Sequence, residues 1–188
     1  MNRQAGEPMA TVTAIPASTQ ALSELFGEHN RRVLRAAYRI TGSMADAEDV
    51  AQAVFLRLAS AGGPVANAGS YLYRAAINGA LDLLRRRKTS PTEPLEETAE
   101  ISWAGRGSSP EAAASSRQAG ELLRRAIAEL PPRAAEMFTL RYLEELGNRE
   151  VAALMGTSQA VVAVTLHNVR SRLKKRLMEL ERGNHETR

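Results

Sequence analysis

The feature that most constrains this chain is a pair of short helical patterns joined at a glycine, at residues 148–173. Asn148 has the side chain of an N-cap, and Gly156 can adopt the left-handed conformation that ends a helix. Thr157 and Ser158 can cap the segment that follows. This second segment has one apolar stripe, with members at i, i+4, i+7 and i+11: Val162, Leu166, Val169 and Leu173.

Two helices joined in this way are typical of a helix-turn-helix, whose second helix enters the major groove of DNA. An ordinary helical hairpin with no nucleic-acid role has the same pattern. On residues 148–173 alone both interpretations are open, and the rest of the chain has to discriminate between them.

The charge distribution favours a polyanionic partner. The net charge is +4, and basic residues outnumber acidic ones by ten to six over residues 21–88 and by eleven to eight over residues 121–182. Residues 89–120 have the opposite balance, with two basic residues against five acidic ones. Two basic blocks are therefore separated by an acidic one.

Several classes of protein are disfavoured by what the sequence lacks. It has no cysteine, which excludes disulfides, cysteine-ligated zinc and thiol-based sensing by this chain. The first twenty residues lack the apolar core of a signal peptide, and no run approaches the roughly 20 apolar residues of a membrane span. We therefore expect a cytoplasmic protein without membrane insertion.

The periodicity predicts an all-α fold with two small helical domains joined by a flexible acidic linker. Residues 1–20 should form a flexible N-terminal arm, and residues 21–88 the first domain. Residues 89–120 are the linker, residues 121–182 the helix-turn-helix domain, and residues 183–188 a tail. No alternating strand pattern is found.

The second helix of the first domain has the clearest pattern in the chain. Ser43 can cap its start, and Asp46 in the first turn suits the helix dipole. Asp49 and Gln52 form a polar patch that the dipole does not explain. Its apolar stripe has six members: Ala47, Val50, Ala51, Val54, Phe55 and Leu58.

The third helix, predicted over residues 70–87, has the pattern of a nucleic-acid contact. Arg74 and Asn78 lie one turn apart on one side, and Tyr71 and Tyr73 offer faces on which unpaired bases could stack, although tyrosines at helical spacing are more often core. The helix ends in four consecutive cations: Arg85, Arg86, Arg87 and Lys88. A cationic end suits the dipole, but four charges exceed that need and favour phosphate contact.

Taken together, these passages resemble a bacterial RNA polymerase sigma factor of the extracytoplasmic-function (ECF) group. The resemblance is carried by ADAEDVAQAVFLRLA at residues 45–59, YLYRAAINGALDLLRRRK at residues 71–88, and the passage from LPPRAAEMF to NVRSRL at residues 130–173. It implies a factor that binds core RNA polymerase and directs promoter recognition, promoter melting and transcription initiation, without catalysis of its own.

The resemblance also implies roles for particular residues of the first domain. Asp49 and Gln52 match positions that bind the polymerase clamp helices. The loop at residues 61–69, together with Asn78, matches the part that captures a base of the −10 element. For five basic residues the resemblance implies contacts to the −10 DNA backbone: Arg74, Arg85, Arg86, Arg87 and Lys88.

In the second domain, Arg141 matches a position that touches −35 DNA in the family, and our own hypothesis for the recognition helix adds seven residues: Ser158, Gln159, Ala163, Val164, His167, Asn168 and Arg170. Polar side chains would read base edges, Ala163 and Val164 would meet thymine methyls, and Arg170 would hold the backbone.

The sequence departs from the family pattern at several positions. The family often has a tryptophan where Tyr71 stands, and a glutamate where Ala53 follows Gln52. Basic residues are common in its recognition helix where this chain has Ala163, Thr165 and Asn168. The promoter preference usual for the family is therefore in doubt for this chain.

Three other functions compete with this interpretation. A different helix-turn-helix regulator explains residues 148–173 but not the Asp49 and Gln52 helix. A nucleic-acid-processing enzyme needs clustered carboxylates or histidines, and His29, His167 and His185 are scattered, so we expect no catalytic site, metal or cofactor. A protein-only adaptor leaves the basic blocks unexplained. The expected partners are core RNA polymerase and promoter DNA, with an anti-sigma protein as a further candidate.

Overall fold

The computed structural model describes residues 13–14, 19–60, 64–65, 67–89 and 110–186. As predicted, the described chain is almost entirely helical. Its seven α-helices are α1 (Thr19–Thr41), α2 (Met44–Ser60), α3 (Ala68–Thr89), α4 (Pro110–Ala128), α5 (Pro132–Phe138), α6 (Asn148–Met155) and α7 (Gln159–Glu186). A single π-helical turn, Thr139–Leu143, continues α5. Among the described helices, none is both long and apolar enough to cross a membrane.

Helices α1, α2 and α3 pack on one another in a three-helix unit. All six members of the predicted α2 stripe are buried, which confirms that pattern. The Asp46 amide donates to Ser43 Oγ at 3.3 Å, so Ser43 caps α2 as predicted. Helix α3 begins two residues earlier than predicted because Asn67 caps it, its Oδ1 accepting from the Ser70 amide at 2.8 Å.

A two-stranded contact was not expected from the sequence. Residues Thr13–Ala14 (β1) pair antiparallel with Pro64–Val65 (β2), with Thr13 opposite Val65 and Ala14 opposite Pro64. Strands of two residues are too short to show an alternating pattern, which is why the sequence contained no signal for them. They join part of the predicted arm to part of the predicted −10 loop. The last two residues of the arm begin α1, while residues 1–12 and 15–18 of the arm and positions 61–63 and 66 of the loop lie outside the described residues.

Helix α4 begins at Pro110, whereas the sequence pattern placed its start at Glu121. The side chains described between residues 111 and 120 are largely exposed, so this part of α4 has no buried apolar stripe that periodicity could reveal. Its alanines nevertheless have the highest helix propensity, Pro110 suits a first turn and Glu111 suits the dipole there. Residues 90–109 of the predicted linker lie outside the described residues.

The helix-turn-helix forms from α6 and α7. Gly156 ends α6 in the left-handed region at φ +58°, and the Val161 amide donates to Ser158 Oγ at 3.2 Å at the start of α7, so both predictions are confirmed. The predicted N-cap at Asn148 is wrong by one residue. The cap is Gly147, because its amide donates to Glu150 Oε2 at 2.7 Å and fixes the boundary there.

The two helical units also pack against each other. One continuous cluster of buried apolar side chains runs from α1 through α3 into α4, α5, α6 and α7. Helices α4 and α5 lie against α3, and the π turn lies against α1. The sequence pattern gave no indication of this arrangement, since it left the relative placement of the two domains free.

Candidate polymerase and nucleic-acid interfaces

The predicted polymerase contact lies on the outer face of α2. Asp49 and Gln52 are both exposed and lie three residues apart, which places them on the same face, while Val50 and Ala51 beside them are buried. Leu56, one turn beyond Gln52, is 67% exposed. The sequence search missed Leu56, although an apolar residue off the buried stripe was a signal available to it. A carboxylate, an amide and an exposed leucine on one face suit contact with another protein.

The cationic end of α3 is held by carboxylates from α2, from α3 itself and from the turn after α4. Arg87 Nη2 donates to Asp46 Oδ1 of α2 at 2.6 Å, and Arg85 Nη1 donates to Asp82 Oδ1 at 2.7 Å. Lys88 Nζ lies 3.2 Å from Glu129 Oε1, beyond the end of α4. Arg86 is exposed. Arg87 and Lys88 keep about half of their side-chain surface in solvent, so the end of α3 still presents positive charge.

Arg74 and Asn78, the other predicted −10 contacts, face the second helical unit. Arg74 Nε donates to Glu136 Oε1 of α5 at 2.7 Å, and the Glu136 side chain is only 7% exposed. Asn78 lies in the wall of a cleft of about 340 Å³, together with Arg74 and Arg85 from α3 and Arg133 and Glu136 from α5. The structure thus brings Arg74, Asn78 and Arg85 together, but with α5 opposite them.

The two tyrosines of α3 have different environments. Tyr71 is 38% exposed and keeps a face available for stacking. Tyr73 is buried, and its hydroxyl donates to Glu144 Oε2 at 2.8 Å, so its predicted role as a stacking face is wrong. Burial, reinforced by the Glu144 carboxylate, raises the pKa of Tyr73 well above its usual value. Arg32 lies over the Tyr73 ring, 4.1 Å from its centre.

Outward-facing residues of α7 match the predicted recognition surface. Six of the predicted residues on this helix are exposed: Gln159, Ala163, Val164, His167, Asn168 and Arg170. The four-residue apolar stripe predicted for α7 is buried on its other side, which confirms the direction in which the helix faces. Val161, 48% exposed, lies among them and was not predicted. Ser158 is exposed, but its hydroxyl caps the helix.

Arg141 lies in the π turn rather than on α7. Its guanidinium carbon is 5.4 Å from the centre of the Tyr142 ring, and its side chain is partly exposed. The turn ends next to Glu145, which has φ +59°, a backbone conformation uncommon for a residue with a side chain. The loop after the turn is closed by the Leu146 amide donating to the Leu140 carbonyl at 3.0 Å.

Sequence reasoning missed a set of acids that connects the two helical units. Arg39 of α1 donates to the Leu143 carbonyl at 2.7 Å and lies 3.5 Å from Glu144 Oε1. Glu129 accepts from Arg176 of α7 at 2.8 Å as well as facing Lys88, and the Arg176 guanidinium holds the pKa of the Glu129 carboxyl below its usual value. These acids are non-local partners, so spacing along the chain could not reveal them.

In the described part of the chain, no group of three or more histidines and carboxylates is placed to hold a metal ion. The exposed faces of α2, α3 and α7 can contact a partner through charged, hydrogen-bonding and apolar side chains.

Two sequence-family models match the chain in succession. Sigma-70 region 2 matches residues 25–89, and Sigma-70, region 4 matches residues 120–173. An RNA polymerase sigma-E factor of Streptomyces coelicolor is 30% identical over 152 residues, which cover 78% of this chain and 80% of that protein. This chain is an ECF sigma factor. The resemblance found in the sequence is thereby confirmed.

Two further relatives show how far the similarity of this ECF sigma factor extends. The ECF RNA polymerase sigma factor SigW of Bacillus subtilis is 25% identical, with 85% of this chain and 90% of that protein covered. The ECF RNA polymerase sigma factor SigE of Mycolicibacterium smegmatis is 30% identical over 174 residues, 90% of this chain and 66% of that protein. The region 2 match falls on α1, α2 and α3, and the region 4 match runs from the middle of α4 into α7.

Proposed function

We propose that this ECF sigma factor binds core RNA polymerase through the outer face of α2, engages the −10 element with α3, and reads the −35 element with α7. The family membership supports the overall activity, which is direction of core polymerase to promoters, their melting and the start of transcription. The division of labour among the three helices rests on the exposed faces described above.

The observation that carries the proposal is the outward orientation of α2 and α7. Asp49, Gln52 and Leu56 leave the core on one side of the first unit, while the α7 residues from Gln159 to Arg170 leave it on the second. Both faces are therefore open to a partner without rearrangement of either core. A helix that keeps its apolar stripe buried and presents polar and small apolar side chains outward suits the major groove.

Few cations lie on the outward face of α7, which sets the kind of DNA contact that we propose. Only Arg170 among its exposed predicted residues is basic, so phosphate anchoring has to come from Arg141 and from the basic C-terminal half of the helix. Base reading would then fall to Gln159, His167 and Asn168, with Ala163 and Val164 against thymine methyls.

Reconstitution tests this function. The purified chain is added to core RNA polymerase, bound promoters are selected from a genomic fragment library and sequenced, and run-off transcription is measured on the selected fragments. We expect sequences sharing two elements, at −35 and −10, and transcripts that depend on the chain. If the chain binds DNA fragments without core polymerase and gives no transcript with it, the function is that of another helix-turn-helix regulator. The same preparation can be screened for an anti-sigma protein that blocks its binding to core polymerase.

A further inference from the structure

The loop between α2 and α3 has a backbone partner in the N-terminal arm. Its strand β2 (Pro64–Val65) is hydrogen-bonded antiparallel to β1 (Thr13–Ala14), and Asn67 fixes the end of the loop by capping α3. The same loop is the part to which the family resemblance assigns capture of a −10 base. The arm thus contacts the backbone of the loop that we expect to hold an unpaired base.

We propose that β1 takes part in −10 recognition, by holding the loop in the shape that receives the unpaired base. The inference rests on the proposed −10 role of the first helical unit and goes beyond it, because it assigns a part in base capture to the arm. The region 2 match begins at residue 25, so β1 lies outside the residues that the family model covers. Thr13 is a positioning residue in this proposal, since it acts through the loop and not on the base.

The register of the strand pair assigns its hydrogen bonds. In an antiparallel pair, residues directly opposite each other alternate between exchanging two backbone hydrogen bonds and exchanging none. Thr13 lies opposite Val65, and Ala14 lies opposite Pro64. Because Pro64 has no amide N–H, the two bonds lie between Thr13 and Val65. The amide of Ala14 therefore points away from β2.

Both strands are tethered to the same packed helices, which favours their pairing. Only residues 15–18 lie between β1 and the start of α1, and β2 lies between the end of α2 and the start of α3. The start of α3 in turn lies close against α1, since a Cβ added at Gly69 would come within 2.9 Å of His29 Cε1. Two strands of two residues are not stable alone, but a four-residue tether gives β1 a high effective concentration at β2.

Pairing with β1 matters to base capture because it restricts the loop. A loop without a backbone partner samples many conformations, and only the fraction with the right shape can bind the base. Fixing that shape in advance removes the cost of ordering the loop on binding. The pairing leaves a stacking surface beside the loop, because Tyr71, four residues after Asn67, is 38% exposed. The loop and this ring are therefore both available to one unpaired base.

The test compares proline substitutions at two adjacent residues, in the full chain assembled with core RNA polymerase. Thr13→Pro removes the amide that donates to Val65. Ala14→Pro is the matched control, because it removes an amide that points away from β2 and proline is tolerated on an edge strand. Thr13→Val keeps both the amide and a β-branched side chain, so it should behave as the unsubstituted chain does.

Two measurements report on the −10 element, and two others report on the rest of the factor. Selection and sequencing of bound promoters gives the base preferences at −10 and −35, and permanganate reactivity of unpaired thymines gives the extent of melting. Titration of the labelled factor with core polymerase gives their affinity, and circular dichroism gives the helix content.

We expect Thr13→Pro to lower the enrichment of the preferred base at the captured −10 position by about three- to tenfold, because one backbone hydrogen bond that shaped the loop is lost. Permanganate reactivity should fall as well. The −35 preference, the affinity for core polymerase and the helix content should not change, since α7 and the outer face of α2 take no part in the strand pair. Ala14→Pro and Thr13→Val should match the unsubstituted chain in every measurement.

Three results would overturn the proposal. One is an unchanged −10 preference and unchanged melting in Thr13→Pro. Another is an equal loss in Ala14→Pro, which would trace the effect to proline in the arm and not to the hydrogen bond with β2. The last is a parallel loss of −35 preference or of affinity for core polymerase, which would show that the substitution acts on the whole factor.

Failure of the −10 role of the loop itself gives a different result. Val65→Pro removes the amide on the loop side of the same strand pair and alters the loop directly. If Val65→Pro alone changes the −10 preference, the loop keeps its role and the arm has none. If neither Val65→Pro nor Thr13→Pro changes it, the loop is not part of the −10 contact, and the role of the arm fails with it.

Discussion

At the scale of single residues, helix α2 shows the difference between an acid that pairs within the fold and an acid that is available to contact a partner. Asp46 and Asp49 are both acids near the start of α2, yet Asp46 is buried against Arg87 whereas Asp49 faces solvent. Spacing alone does not separate them, because residues three apart are neighbours on a helix surface. What the sequence could not supply is the identity of the cation on α3 that pairs with Asp46.

The residue-scale prediction concerns Asp49 and Gln52. Replacing both by alanine should weaken binding to core polymerase by about tenfold or more, which corresponds to about 1.4 kcal/mol, because two polar contacts of one interface are lost together. The helix content and thermal midpoint should hardly change, since both side chains are exposed. Binding is measured by fluorescence anisotropy of the labelled factor titrated with core polymerase.

The matched control is Glu24→Ala, which removes an exposed acid from α1. It should leave the affinity for core polymerase unchanged. An equal loss of affinity in the control would mean that general charge, not the α2 patch, guides association, and an unchanged affinity in the double variant would remove the patch from the interface.

At the scale of secondary-structure elements, the hinge of the helix-turn-helix depends on one backbone conformation. Gly156 has φ +58°, and a Cβ added there would meet no atom within 4 Å. Gly156→Ala should therefore destabilise the chain by about 1–2 kcal/mol, through the cost of a left-handed alanine and not through a clash. Urea unfolding followed by circular dichroism measures the change.

Gly27→Ala is the control, and its expected change in the free energy of unfolding has the opposite sign. Gly27 lies within α1, and a Cβ there would likewise meet nothing within 4 Å. Because alanine favours the helix, this substitution should stabilise the chain by up to about 1 kcal/mol. If both substitutions changed stability in the same direction, the left-handed backbone conformation of Gly156 would not be the cause.

The recognition helix carries the second prediction at this scale. Gln159→Ala or Asn168→Ala should relax the preference for particular bases in the −35 element, with about 1–3 kcal/mol of discrimination lost at the base pair concerned. Selection and sequencing of promoters bound by the reconstituted holoenzyme measures it. Ser171→Ala, at an exposed position on the same helix whose hydroxyl donates to the His167 carbonyl, is the control and should keep the original preference. A uniform loss of affinity without a change of preference would reassign Gln159 and Asn168 to backbone contact.

These elements also show how far sequence reasoning reaches. The stripes of α2 and α7, the cap at Ser43 and the break at Gly156 were predictable because each is a local pattern with a local physical cause. The helical conformation of residues 110–120 was not predictable, since an exposed helix has no periodic pattern of apolar residues. The pairing of Glu136 with Arg74 was not predictable either, because it joins residues 62 positions apart.

At the scale of the whole molecule, one cluster of buried side chains runs through both units, and we expect them to unfold together. Tyr73 is the residue that tests this, because it is buried on α3 yet donates to Glu144 beyond the π turn. Removing its hydroxyl leaves the ring in place and takes away one hydrogen bond to a charged acceptor. Tyr73→Phe should therefore destabilise the chain by about 1.5–3 kcal/mol.

If the two units unfold together, the loss of stability caused by Tyr73→Phe should appear in both of them. Amide hydrogen exchange in the cores of α2 and α7 should speed up by a similar factor in Tyr73→Phe, because global unfolding then controls exchange at both sites. The control is Tyr71→Phe, which removes the same atom from an exposed tyrosine two residues away and should leave both rates unchanged. Faster exchange in α2 with an unchanged rate in α7 would mean that each unit unfolds alone and that the contact between them contributes nothing to the stability of the second unit. Faster exchange in both would show that the stability of α7 depends on a contact made on α3.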